Sequence, residues 1–203
     1  MWPLLLAAMN LVPNGGMEPP YVRGLAHGWE PNCYGENVVE FRAETKSPHS
    51  GRAAQAIVCR RFKSGGVQMR CRGIFVEKGK PYTLTLWLKG SVKGRVFVGV
   101  RKHGRPYTRY LFRYVRVKPY WRRYTIIGTS KGTDPDCGIY IAFFEEGTLY
   151  VDDVALVPGR HPPTTPGVES PPVKGNRVYN ASFELGTSGW APVGKGLEAI
   201  EIP

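Results

Sequence analysis

The chain has 203 residues, 42% of them hydrophobic, with 25 Gly and 18 Pro. Apolar runs are short and broken by turn residues, and none keeps a 3.6-residue period, which excludes a helical bundle and leaves many short strands. Lys and Arg outnumber Asp and Glu by 28 to 16, a net charge of +12; the basic residues are scattered rather than gathered in a helix or tail, which favours a solvated, Arg-covered surface over a specific nucleic-acid site.

In chain order, Trp2 to Met9 are apolar but lack a basic leader and a small-x-small cleavage site, so residues 1–9 read as a signal remnant or a first strand. No run is long enough to span a membrane. Residues 53–62 and 67–75 flank Lys63, Ser64, Gly65 and Gly66, a turn signal that predicts a hairpin. Residues 82–89 alternate, with Tyr82, Leu84, Leu86 and Leu88 on one face and Trp87 on the other. Residues 94–101 set Val96, Val98 and Val100 against Arg95, Phe97, Gly99 and Arg101. Strands at 107–117, 121–127, 138–144 and 148–156 follow. Eight or nine short antiparallel strands predict an all-β, antiparallel β-sandwich or jelly roll.

Residues 159–175 are Pro-rich and predict a stiff linker. Beyond it, Asn176, Val178, Asn180 and Glu184 restate Asn10, Val12, Asn14 and Glu18, with Phe183 for Met17, and both copies lead to a Gly-Trp pair, Gly28-Trp29 and Gly189-Trp190. Residues 176–203 therefore read as the truncated start of a second module like that at 10–158.

The landmarks Asn10 to Glu18, His49-Ser50-Gly51, Lys78 to Gly90, Trp121 to Tyr124 and Leu149 to Leu156 occur in an order and spacing that resembles the carbohydrate-binding modules of the family 4, 9 and 22 type, which accompany secreted glycoside hydrolases. The resemblance covers about residues 10–158. It implies a jelly roll with a concave glycan-binding face, a structural calcium ion near the chain ends, and a non-catalytic role in holding a hydrolase on plant β-glucan or xylan. A structural or adhesive module in an extracellular array is the alternative. A secreted or cell-surface location follows from either, with polysaccharide or oligosaccharide and further modules of the chain as partners. Trp121 is expected in the core, where the family's Trp packs inward.

Sugar recognition needs flat aromatic faces and planar hydrogen-bonding groups. The candidates are Trp87, Arg95, Arg101, Tyr107, Tyr110, Tyr140 and Phe144, whose rings otherwise belong to the core. Glu18 and Asp152 are the candidate calcium ligands, Asp152 being preferred to Asp153 because it shares parity with Val154 and Leu156. Enzyme signatures are missing: there is no G-x-S-x-G, H-E-x-x-H or P-loop, and Glu145 and Glu146 are neighbours that a strand would point to opposite faces. In the hairpin centred on Gly65, Cys59 and Cys71 would be opposed and able to form a disulfide, which by elimination pairs Cys33 with Cys137. Four free buried thiols are the other reading.

Overall fold

A computed structural model describes residues 10–162. The leader at 1–9, the linker beyond 162 and the second copy at 176–203 lie outside the described residues. The described chain is all-β, with strands β1 (Tyr21–Val22), β2 (Leu25–Ala26), β3 (Trp29–Pro31), β4 (Asn37–Glu44), β5 (Ala54–Phe62), β6 (Val67–Val76), β7 (Pro81–Gly90), β8 (Arg95–Lys102), β9 (Arg109–Arg116), β10 (Arg122–Thr129), β11 (Asp134–Phe143) and β12 (Gly147–Pro158).

Two five-stranded antiparallel sheets form a sandwich. One has the order β10-β7-β12-β5-β4 and the other β3-β6-β11-β8-β9, while β1 and β2 make a separate two-stranded ribbon. The alternating strands decide the interior. Leu84, Leu86 and Leu88 of β7 are fully buried, and so are Val96 and Val98 of β8 and Ile139, Ile141 and Phe143 of β11. Each such side chain contributes roughly 1.5–3 kcal/mol on burial. Strands β3 and β4 carry no clean alternation. Strand β4 is an edge that pairs only with β5, so its side chains are half-buried on both faces and the apolar pattern fades.

The hairpin expected at 53–75 does not form. Strand β5 pairs with β4 and β12, whereas β6 pairs with β3 and β11 in the opposite sheet. The turn residues are captured by the preceding segment. Gly66 and Tyr34 exchange backbone hydrogen bonds at 2.9 and 3.1 Å, and Lys63 N donates to Glu36 O at 2.9 Å. Both strands are apolar enough to be flanked on two sides, so the chain crosses the sandwich between them rather than folding back on itself.

The disulfide pairing built on that hairpin falls with it. Cys59 lies opposite Val39 and Gly147, and Cys71 opposite Trp29 and Ile139. Nor are Cys33 and Cys137 neighbours. The Cys33 sulfur contacts the Gln68 backbone, and Cys137 Sγ donates to Ile74 O at 3.1 Å. Six residues of strand separate those two places, roughly 20 Å at the strand rise, against about 7 Å for the widest Cα separation a disulfide bridges. All four thiols are free in the structure. Burial pushes Cys71 and Cys137 up to about 12. Since the thiolate is the reactive form, iodoacetamide at mildly alkaline pH is expected to modify the half-buried Cys33 first. Cys71 and Cys137 should react only after unfolding, as peptide mass spectrometry of timed samples would show.

Candidate functional site

The outer face of the β3-β6-β11-β8-β9 sheet is built from the strand positions left over when the core is filled. Register aligns its side chains in transverse rows. One row runs Glu30, Arg70, Tyr140, Gly99, Phe112 across the five strands, and the next runs Gln68, Ala142, Phe97, Tyr114. Gly99 leaves the middle of the first row open, and a Cβ there would stand 2.6 Å from the Leu111 carbonyl oxygen and from Phe112 Cβ.

An aromatic cluster occupies the β8–β9 side of this face. Phe97 and Phe112 stack with centroids 6.0 Å apart at 21°, and Tyr114 meets Phe97 edge-on at 5.5 Å. Phe97 is buried beneath its neighbours, but Phe112 and Tyr114 remain 44% and 41% exposed, and Phe144 43%. Gly94, Arg95, Tyr114, Phe144 and Glu145 line a cleft of about 360 Å³ at one end of the cluster.

Towards the other end, planar cations lie over rings. The Arg101 guanidinium carbon is 3.9 Å from the Tyr140 centroid and 5.0 Å from that of Tyr107, and Arg109 lies 5.1 Å over Phe112 and 5.5 Å over Phe97. The Tyr140 hydroxyl is 2.6 Å from His103 Nδ1 and accepts from Arg70 Nη1 at 3.5 Å, while Arg70 Nε donates to Glu30 at 2.8 Å. His103 Nε2 lies 3.5 Å from Asp136, too poorly aligned for a hydrogen bond. Burial holds the His103 ring below its ordinary pKa, hence neutral near pH 7. Such a face offers exposed ring surfaces for sugar C–H groups and forked N–H donors for oxygens.

Of the candidates from sequence, the structure brings Arg95, Arg101, Tyr107, Tyr140 and Phe144 to this one face. Tyr110 is not among them. A bulge pairs Val100 with Leu111 but Arg101 with Arg109, so Tyr110 is the extra residue and turns into the core. Its hydroxyl donates to Asp134 at 2.8 Å, and burial pushes it up to about 12. Phe97, Phe112 and Tyr114, which sequence reasoning did not select, form the centre of the cluster. The signal was available for Phe97 in its shared parity with Arg95, and for Phe112 and Tyr114 in their alternation with the apolar Leu111 and Val115.

Trp87 belongs to the opposite sheet. It stacks on His49 with centroids 3.7 Å apart at 19°, and His49 meets Trp121 edge-on at 5.9 Å. Trp121 is half-buried on this outer surface rather than in the core, donating from Nε1 to Ser47 O at 3.1 Å. Trp87 and Trp121 thus fasten the 45–53 loop to the sheet.

Glu18 and Asp152 flank that same loop. Glu18 Oε1 accepts from Arg52 N at 2.7 Å, and Asp152 Oδ2 accepts from His49 N and Ser50 N at 2.9 and 3.1 Å. Asp152 pairs with Trp87 on the outward side of β12. A bulge between Asp152 and Ala155, with Asp153 at φ 46°, returns Val154 to the interior. Asp152 is therefore buried by the loop and not by the core. Desolvation pushes its carboxyl up to about 6, whereas the Arg52 backbone N–H holds Glu18 below its usual range. His49, Asp152 and Asp153 bring ligand atoms within 4.8 Å of one another. The concentration of carboxylate charge, including one buried carboxylate with no ion-pair partner among the described residues, fits a hard cation. Gly51 is required here, because its φ is +60° and a Cβ would stand 2.0 Å from Glu18 Oε1.

Glu145 and Glu146 do not act as a pair. Glu145 accepts from Gly94 N at 2.6 Å and Glu146 from Phe62 N at 3.2 Å.

Comparison with solved structures settles the architecture. The chain superposes on a structure titled "CBM4 structure and function" with a TM-score of 0.60 and 21% identity, covering 73% of this chain and 99% of that one. The fold is that of the carbohydrate-binding β-sandwich modules. The CBM22-1 xylan-binding domain of Paenibacillus barcinonensis Xyn10C gives a TM-score of 0.52 at 12% identity, covering 76% of this chain and 97% of that one. The enzymatically active domain of bacteriophage CBA120 tailspike protein 4 gives 0.59 at 14% identity, over 74% of this chain and 21% of that one. No protein-family profile and no curated protein matches the sequence.

Proposed function

We propose that this module is a non-catalytic binder of polysaccharide, which holds the glycan across the outer face of the β3-β6-β11-β8-β9 sheet. The observation that carries the reading is the group of part-exposed rings, Phe112, Tyr114 and Phe144, set beside guanidinium groups on one continuous surface. The architecture shared with a family 4 module and a xylan-binding domain supports it. In this reading the module is secreted and tethers an attached glycoside hydrolase to plant polysaccharide, β-glucan or xylan, raising the local substrate concentration.

Isothermal titration calorimetry against soluble β-glucan, xylan, galactan and polygalacturonate tests it. Heat of binding with at least one of them is expected. Silence with all four would refute the reading in favour of a structural or adhesive module.

We also propose that Glu18 and Asp152 take part in holding a structural Ca²⁺ at the 45–53 loop. A cation bound only by the folded form stabilises it by mass action. Calcium is expected to raise the melting temperature by several degrees relative to chelator, since about 1 kcal/mol corresponds to about 2–8 °C in domains of this order of size. Glu18→Gln should remove most of that gain while sugar binding persists. A melting temperature indifferent to calcium would defeat the assignment.

A further inference from the structure

We infer that the polysaccharide this face selects is acidic, its chain bearing carboxylate groups that two arginine pairs clamp at either end of the aromatic cluster. The inference rests on the glycan-binding reading above and names the ligand's chemistry.

Register places Arg95 directly opposite Arg116 and Arg101 directly opposite Arg109 on β8 and β9. Like charges facing each other across a strand pair are destabilising, and this sheet carries two such pairs flanking the part-exposed rings of Phe112 and Tyr114. No carboxylate among the described residues lies within 4 Å of any of the four. The acids on the same face are engaged otherwise, Glu30 with Arg70 at 2.8 Å, Asp136 with Arg72 at 3.4 Å, and Glu145, in the cleft beside Arg95, with the Gly94 N–H at 2.6 Å. No ion pair among the described residues relieves this local repulsion, and an anionic ligand would relieve it.

The cations are arginines throughout, and one pair is held by rings. The Arg101 guanidinium carbon stands 3.9 Å from the Tyr140 centroid, and Arg109 lies over Phe97 and Phe112. Stacking fixes a guanidinium and leaves its edge free, the geometry that receives a carboxylate through two parallel N–H bonds. Arg101 Nε is buried and donates to nothing among the described residues.

The two pairs stand six residues apart along β8, roughly 20 Å at the strand rise. Phe112 and Tyr114 occupy the interval. A glycan lying along the strands can stack its sugars on those rings while carboxylates of the same chain reach both arginine pairs. A neutral glucan would stack equally well but leave the repulsion unrelieved. Duplex nucleic acid would match the charge but not the flat rings, which no backbone phosphate can use.

Calorimetry in about 0.15 M salt, where diffuse surface attraction is screened beyond roughly 8 Å, tests the inference. The probes are glucuronoxylan against neutral arabinoxylan, which share a backbone, and polygalacturonate against its methyl ester, with dextran sulfate and duplex DNA as competitors. The acidic member of each glycan pair is expected to bind at least about tenfold tighter. Arg109→Gln with Arg116→Gln should collapse the acidic-to-neutral affinity ratio within each pair to near one, whatever it does to neutral binding itself. The methyl ester makes the same comparison on the ligand side, independently of how the double variant folds. Equal affinity within both pairs overturns the inference and leaves glycan binding standing. Silence with every glycan overturns both. DNA and dextran sulfate binding as tightly as uronate, with no effect of Phe112→Ala, would identify a diffuse polyanion surface and also overturn it.

Discussion

Phe112→Ala is expected to weaken polysaccharide binding about thirtyfold, about 2 kcal/mol, the size of a hot-spot aromatic. Phe112 sits on the β9 side of the face, stacked on Phe97 and capped by Arg109, with 44% of its surface open. Its truncation removes the exposed ring and also the surface that orients Arg109. Because the ring lies outside the sandwich on an edge strand, the melting temperature should change little. Tyr114→Ala should act in the same direction. Trp87→Ala provides the contrast, since it stacks on His49 across the opposite sheet. It is expected to leave affinity within about twofold, a fraction of the 1.4 kcal/mol that makes a tenfold change, and to lower thermal stability by loosening the 45–53 loop. Calorimetry and thermal melts on the three variants check this. Loss of binding in Trp87→Ala with retention in Phe112→Ala would place the site on the other sheet.

The largest effect on stability from a polar residue is expected at Gln55. It is fully buried in β5. Its Oε1 accepts from Ala26 N at 2.9 Å, and the two N–H groups of its Nε2 are shared among the carbonyls of Gly24, Arg42 and Ala56 at 2.9, 3.1 and 3.0 Å. One side chain thus joins the β1–β2 ribbon to the sheet edge. Gln55→Met keeps the length and most of the volume but orphans at least the Ala26 N–H and the Gly24 carbonyl. At about 1–3 kcal/mol for each buried unsatisfied group, destabilisation of about 2–6 kcal/mol is expected in urea unfolding. Gly24 cannot adjust to recover the contacts, because its φ is +80° and it packs on the Phe41 carbonyl. A loss under about 0.5 kcal/mol, the range of an ordinary surface substitution, would show that the ribbon is held by other contacts.

The strands were readable where one face is buried and the other is not. In β7, β8 and β11, Leu84, Leu86, Leu88, Val96, Val98, Val100, Ile139, Ile141 and Phe143 define the inner surface by simple alternation, and the outward parity of Arg95, Phe97, Arg101, Tyr140 and Phe144 follows. Alternation cannot see a bulge. One extra residue in β9 sends Tyr110 inward, and another in β12 separates Asp152 from the parity of Val154. It also fails where a strand is short or at an edge, as in β3 and β4, since a half-buried strand needs no regular pattern.

By itself the sequence determined an all-β sandwich and the identity of most residues that face outward, because both depend on local alternation and on turn residues a few positions apart. It also carried the charge excess and the aromatic residues of the candidate site. Only the tertiary structure decided which strands share a sheet. That choice set β5 and β6 in opposite layers, separated Cys59 from Cys71, and placed Trp87 on the surface away from Tyr140 and Phe112. The physical reason is that strand pairing joins backbone groups distant in sequence. Any two apolar strands satisfy the same hydrogen bonds, and the arrangement is selected by packing the whole interior at once.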